Sequence, residues 1–371
     1  MTFTLLIFSL TDLLLILSFA FTPYVTRKTE LFGVSLPASE SDRPELRKMR
    51  ASYRNTALLI GAIMLASQVM LMMLFNSESK QVISYLVLIF GFIIVYFALY
   101  LVFHGKMKAF KKAQNWNKAG SGGDEPVLIV DTEPAAKESF SPIWLLLYPV
   151  IAAATGVALK LLWPSLPDKL PMHMDLAGKV DRWADKDFGT VIELLWPQWL
   201  ILLVFAGVFY AIRVSKRQID AANPETSREQ GRKFRRVMSG AMLFGGAFMG
   251  VFIGAISIFT IKAGSSKATF VLPLALMAII VVLVIILYIR IGQGGSRLKN
   301  KGAKSKSLAG ANPDDDKYWK LGQFYFNKSD PAVWIEQRFG IGWTLNYARP
   351  LSWFFVAIII AIIVAPLIIF T

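Results

Sequence analysis

Hydrophobic residues along this chain come in blocks of about 20, separated by loops dense in charge. The blocks fall at 3–23, 57–75, 82–103, 143–163, 190–212, 237–262, 270–291 and 351–370. Each is close to the roughly 20 residues a helix needs to cross hydrocarbon. The pattern predicts an all-α polytopic membrane protein with about eight transmembrane helices. The first block has no basic stretch before it and no small-x-small cleavage site near Pro23, so it reads as a retained helix and not a signal peptide. The connections 76–81 and 263–269 are short, which makes the helices they join antiparallel neighbours.

Charge then orients the spans. The formal charge is +15. Of the lysines and arginines, 32 fall in the loops 25–56, 104–142, 213–236 and 290–350, against seven in the alternate loops. Basic loops stay cytoplasmic. Both termini and the loop 164–189 are therefore expected on the extracytoplasmic side. The charge needs no nucleic acid to explain it, because the anionic inner leaflet of the lipid bilayer attracts such loops. Trp163, Trp183, Trp196 and Trp199 fall near the expected outer boundary, and Trp144 and Trp353 near the inner one. Indole favours that level because it is apolar with one polar N–H.

Four regions follow. Residues 1–141 form a three-helix membrane unit with basic loops. Residues 142–291 form a four-helix core carrying the loop 164–189. Residues 292–350 hold a basic linker and an aromatic cytoplasmic module, and 351–371 the last helix. Residues 41–55 read as a short basic helix capped by Ser41 or Asp42 with Pro44 in its first turn. GSGG at 120–123 and the acidic stretch to Glu138 read as a flexible linker, and 292–311 as a low-complexity basic stretch. The aromatic stretch 312–350 has turn signals at Asn327–Pro331 and at Gly340 and Gly342, which predict two or three short strands in a small β-containing cap.

Chemistry concentrates in one loop, 166–188, with five aspartates and one of the two histidines of the chain. Pro167 and Pro171 stop helix formation. His173 and Asp175 would share one side of an extended backbone, and Gly178 permits a turn. Asp181, Arg182, Trp183 and Lys186 follow. Two readings stand side by side. His173, Asp175 and Asp181 could supply ligand or metal contacts, or the aspartates could cap backbone N–H groups while Trp183 anchors to the interface. The chain has no cysteine, and two histidines cannot make a three-histidine zinc site. No HExxH, P-loop or GxGxxG pattern occurs, and no serine is marked as a nucleophile beside His173. The expectation is a protein that is not an enzyme, with no catalytic residues, cofactor or metal.

The spacing PxHxxxxGxxDxWxxK, as Pro171, His173, Gly178, Asp181, Trp183 and Lys186, resembles the extracytoplasmic signature of the Sdp-type immunity protein superfamily of bacterial multi-span membrane proteins. The aromatic stretch from Asp314 resembles an uncharacterised C-terminal module of related Firmicutes proteins, and LFGVSLP with RKMRASYR resembles their first cytoplasmic loop. The resemblance implies a bacterial plasma membrane, an extracytoplasmic peptide as ligand, and a cytoplasmic regulatory protein as partner, since the best-known member gives protection from a secreted toxic peptide and signals inward.

Within the spans, Asp12 is the one acid far from a helix end; Lys160 and Glu193 sit near outer ends, where they could snorkel or pair with each other. Gly246, Gly250 and Gly254 form a double GxxxG in the sixth span, a face for close helix packing within the chain or between two copies. Three function classes remain open. The first is sensing or immunity-type protection against a peptide or envelope stress. The second is transport of a small solute or peptide, motivated by Asp12 and by Pro149, Pro197 and Pro273. The third is a membrane enzyme or metal site at His173, Asp175 and Asp181.

Overall fold

The computed structural model describes residues 2–116, 138–174, 179–219, 224–263, 267–298 and 315–369. Asp175, Gly178, the GSGG linker with its acidic stretch to 137, and most of the low-complexity stretch 292–311 lie outside the described residues. The chain is mostly helical: α1 (Thr2–Val25), α2 (Pro44–Leu74), α3 (Glu78–Ala113), α4 (Leu147–Leu162), α5 (Phe188–Val214), α6 (Pro224–Ala263), α7 (Lys267–Ile291) and α8 (Pro350–Ile369). Among the described residues there are also four two-stranded antiparallel ribbons: β1 (Glu30–Leu31) with β2 (Val34–Ser35), β3 (Lys169–Met174) with β4 (Val180–Asp185), β5 (Trp319–Lys320) with β6 (Phe324–Tyr325), and β7 (Trp334–Glu336) with β8 (Trp343–Leu345). The stretch 312–350 thus makes four short strands where two or three are expected.

Among the described residues, six helices are long and apolar enough to cross a membrane, those ending at Val25, Leu74, Ala113, Ser165, Val214 and Lys262. Their outward faces carry large apolar side chains open to their surroundings, such as Val87, Phe90, Ile94, Leu161 and Leu203. Water would penalise such surfaces, whereas lipid accepts them. This is a multi-pass integral membrane protein whose partner over these faces is the lipid bilayer.

Several helices outrun their apolar blocks. α2 has 31 residues and α3 has 36, about 46 and 54 Å at 1.5 Å per residue, well beyond a hydrocarbon layer of about 30 Å. The basic stretch 41–55 is accordingly no separate helix: from Pro44 on it is the first turns of α2. No glycine or proline interrupts 45–56, and Glu, Leu, Arg, Lys, Met and Ala all favour helix. Arg43 occupies the N-cap position, with Pro44 following it and no side-chain cap bond.

The chain divides into two compact units. One comprises Met1–Ile7, Ala136–Arg213 and Arg236–Leu283. Its core is Tyr148, Ala152, Leu202, Phe209 and Leu243, with Leu159, Leu166, Leu170 and Ile261 beneath the β3–β4 ribbon. Gly246, Gly250 and Gly254 make this packing close. A Cβ on Gly246 would lie 2.7 Å from Phe205 Cβ, one on Gly250 2.7 Å from Leu202, and one on Gly254 2.5 Å from Thr155 Oγ1. The GxxxG face of α6 therefore meets α4 and α5 of its own unit. Gln198 of α5, fully buried, donates to Thr155 Oγ1 at 2.8 Å and to Gly250 O at 2.9 Å.

The other unit comprises Phe8–Ala135, Val214–Arg235 and Val284–Thr371. Leu46, Tyr53, Ala57, Gly61, Met64, Gln68 and Met72 recur every three, four or seven residues along α2 and form its buried stripe. Of these, Leu46, Tyr53, Ala57 and Met64 pack with Ile16 and Ala20 of α1 and with Phe92, Tyr96, Tyr100, Phe103 and Met107 of α3, and Gly61 lies against Ile16. The turn Phe32-Gly33 of the β1–β2 ribbon and the turn Leu321-Gly322 of the β5–β6 ribbon meet each other over α3. Tyr100 Oη donates to Leu321 O at 2.8 Å, and His104 Nδ1 donates to Phe32 O at 2.8 Å. Both glycines have positive φ, and a Cβ on Gly33 would lie 2.4 Å from Gly322 O. Only glycine fits both the backbone and the space there.

Candidate functional site: the β3–β4 hairpin and the buried ionic module

The hairpin rises from α4 and feeds α5. Pro167 and Pro171 bar helix after Trp163, and the chain turns into β3. Pairing runs Lys169↔Asp185, Leu170↔Ala184, Pro171↔Trp183, His173↔Arg182 and Met174↔Val180. The register therefore shifts twice, on either side of His173, and such bulges re-aim side chains. Here they set His173 beside Asp181, with Nδ1 2.6 Å from Oδ1. Both side chains are open, 63% and 47% exposed. Trp183 is half exposed on the same ribbon.

The base of the hairpin is pinned. Lys186 donates from Nζ to Leu166 O at 2.9 Å and lies over the Trp163 ring, 5.7 Å from its centroid. Lys186 N donates to Asp168 O, closing the ribbon. Leu170 is fully buried. Asp187 caps α5: its Oδ1 accepts from Thr190 N at 2.7 Å, and that bond holds the carboxyl below its usual range. Arg182 pairs with Glu193 of α5, so Glu193 turns to the hairpin, while Lys160 stays exposed on α4.

The sequence-derived residues thus divide by role. His173, Asp181 and Trp183 share the open part of the ribbon, with Pro171 paired opposite Trp183; Lys186 holds its base. Among the described residues no group of three or more His, Asp or Glu side chains gathers as a metal shell. What the described part of the ribbon offers is an exposed imidazole–carboxylate pair and a half-exposed indole on a two-stranded sheet.

A second set of residues was missed by pattern reading. Around β5–β8 the other unit buries an ionic module. Arg338, 2% exposed, pairs with Asp315 and Asp316, lies 3.9 Å from Glu30 Oε1, and stacks over the Trp319 ring at 4.9 Å. Lys111 of α3 reaches Asp316 at 2.7 Å and Ser35 Oγ at 2.7 Å. Glu336 pairs with Arg27 and with Arg235, the latter fully buried on α6. Asn346, also fully buried, donates from Nδ2 to the carbonyls of Asn327, Asp330 and Ala332, and accepts at Oδ1 from the N–H of Asn327 and Ala348. Asp330 accepts from Tyr325 Oη at 2.8 Å and Lys216 Nζ at 2.6 Å.

Burial sets the electrostatics of this module. It pushes the Glu30 carboxyl up to about 7, against the pull of Arg27 and Arg338. Burial also acts on Asp316, but Arg338 and Lys111 outweigh it and hold that carboxyl low. Asp330 is likewise held low once Lys216 and the Ala332 N–H overcome its burial. One signal was in the sequence: charged residues alternating with tryptophans, tyrosines and phenylalanines through 315–349, which need partners once the aromatics are buried.

Residues 150–193, spanning α4 from its first turns through the hairpin into α5, match a domain of unknown function, DUF1648. Residues 328–353, which include Asp330, Glu336, Arg338 and Asn346, match a family of unknown function, DUF5808. No curated protein and no solved structure matches the chain.

Proposed function

We propose that this integral membrane protein is a non-catalytic receptor of the sensor or immunity kind, which binds an extracytoplasmic peptide through the β3–β4 hairpin. The observation that carries the reading is the hairpin itself. Its base is fixed by Lys186 and the buried Leu170, while His173, Asp181 and Trp183 stand open. A fixed platform binds without first having to be ordered. The eight hydrophobic blocks of the sequence and the distribution of basic residues between them support an orientation with both termini and the hairpin outside and the ionic module inside a bacterial plasma membrane. The resemblance of Pro171, His173, Gly178, Asp181, Trp183 and Lys186 to the Sdp-type signature supports the immunity form of the reading. The exposed face over this module, which carries Leu321, Phe324 and Phe326, would then meet a cytoplasmic regulatory protein.

The experiment is a comparison of deletion and parent strains against a panel of secreted antimicrobial peptides. The deletion strain should be more sensitive to at least one, and the intact gene should restore resistance. Equal killing of both strains by every peptide would remove the immunity form of the reading.

A further inference from the structure

Three polar side chains face inward at one depth in the apolar part of the α1–α3 bundle. Gln81 of α3 donates to Met72 O of α2 at 3.3 Å and to Phe75 O at 2.7 Å, which places residues 72 and 81 side by side. One helical turn further into the bundle come Gln68 on α2 and Tyr85 on α3. Tyr85 Oη donates to Asp12 Oδ1 of α1 at 3.1 Å, so Asp12 belongs to the same layer. Phe8 stacks flat on the Tyr85 ring, centroids 4.0 Å apart, and fixes it. Asp12 is 0% exposed, Gln68 1% and Tyr85 8%.

The hydrogen bonds in this layer do not close. Asp12 Oδ2 and both amide atoms of Gln68 are buried without a partner. No cation pairs with Asp12 among the described residues; Tyr85 of α3 donates to it and also bonds Thr11 of α1, and the register of α2 against α3 brings Gln68 to the same level, none of them charged. An ionised carboxylate left so, away from water, costs many kcal/mol, whereas the neutral acid costs far less. A buried polar atom without a partner calls for a bound proton, water or ion to explain it.

We propose that Asp12, Gln68 and Tyr85 form an intramembrane proton-binding site that also holds water. Tyr85 occupies Oδ1, so the proton binds at Oδ2: an O–H bond forms there, and the proton comes from a hydronium ion of the bulk solvent, which is left as water. The new O–H then donates through a water to Gln68 Oε1, and the Gln68 N–H₂ donates to the same or a second water. Each orphaned atom gains a partner. The site belongs to a different compact unit from the hairpin and stands whether or not a peptide binds the hairpin.

Infrared difference spectroscopy on the full chain in lipid nanodiscs tests this, with ¹³C-labelled aspartate to pick out aspartyl bands. Parent protein near neutral pH should show a carboxylic C=O stretch that Asp12→Asn abolishes and that D₂O shifts to lower frequency. Gln68→Leu and Tyr85→Phe should each keep the band but move it to higher frequency, as one hydrogen bond to the carboxyl is lost. These two variants keep the test open if Asp12→Asn does not fold. A spectrum with only carboxylate bands from mildly acidic to mildly alkaline buffer, or a carboxylic band that none of the three substitutions alters, would overturn the proposal.

Discussion

His173 and Asp181 stand side by side across the β3–β4 ribbon, Nδ1 to Oδ1 2.6 Å, with both side chains open to solvent. Exposed pairs of this kind add little to stability. What holds the ribbon is elsewhere, in Leu170 and in the bonds of Lys186 to the α4 end. His173→Ala is therefore expected to leave thermal unfolding of the purified protein unchanged. Lys186→Met should speed hydrogen exchange at the β3–β4 amides, by about tenfold for the loss of a charge-assisted bond.

Arg338 is the reverse case. Its guanidinium is buried among Asp315, Asp316 and Glu30 and covers the Trp319 ring. Removing one partner of a buried ion pair leaves the other charged and unpaired, at a cost of about 3–5 kcal/mol. Arg338→Met should open the segment 315–349 to limited proteolysis while the hairpin amides keep their exchange rates.

Glu30 makes the module sensitive to pH. Its carboxyl is raised from 4.5 to about 7 by burial. The folded state holds the proton more tightly than the unfolded state, so this contribution is present in full below the unfolded value. It is lost as pH rises toward and through 7. The size is at most about 3 kcal/mol. Asp316 and Asp330 are held low, so their contributions run the other way and are lost as pH falls through the acid range. Glu30→Gln should flatten the pH dependence of unfolding between 5 and 8 and stabilise the module on the alkaline side, measured by denaturation at fixed pH values.

Gly250 allows α6 to lie against Leu202, with only 2.7 Å left for a Cβ. Gly250→Leu should lower stability by about 1–3 kcal/mol or more through overpacking, read as a fall in the thermal midpoint. If the GxxxG face instead served two copies, the substitution would change the oligomeric mass and leave the midpoint unmoved.

Six of the eight expected spans return, among the described residues, as helices long and apolar enough to cross a membrane, and they were legible because a helix in lipid must satisfy its own backbone and face outward with apolar side chains. Boundaries were less so: hydropathy marks the hydrocarbon layer, whereas α2, α3 and α6 continue as helix through charged turns that hydropathy reads as loop. In the hairpin, Pro171, His173, Asp181, Trp183 and Lys186 were visible from their spacing, yet the bond between His173 and Asp181 was not. It depends on two register shifts that spacing does not encode. Glu193 was expected to snorkel or pair with Lys160 and pairs instead with Arg182, eleven residues back, because the hairpin folds onto the start of α5. Arg338, Glu336 and Asn346 were hidden for another reason. Glu30, a partner of Arg338, and Arg27 and Arg235, the partners of Glu336, are far away in sequence, and the network of Asn346 forms only once the chain folds back on Asn327–Ala332; a buried polar group looks like an exposed one until its partner is known.

Recognition of a peptide by the open part of the β3–β4 hairpin is the core of the proposed function. The most direct measurement is resistance of the deletion strain carrying parent, Trp183→Ala or His173→Ala protein, at equal membrane levels, to a peptide against which the parent protects. Both substitutions should abolish most of the protection while the protein remains folded. Full protection by both variants would contradict the claim.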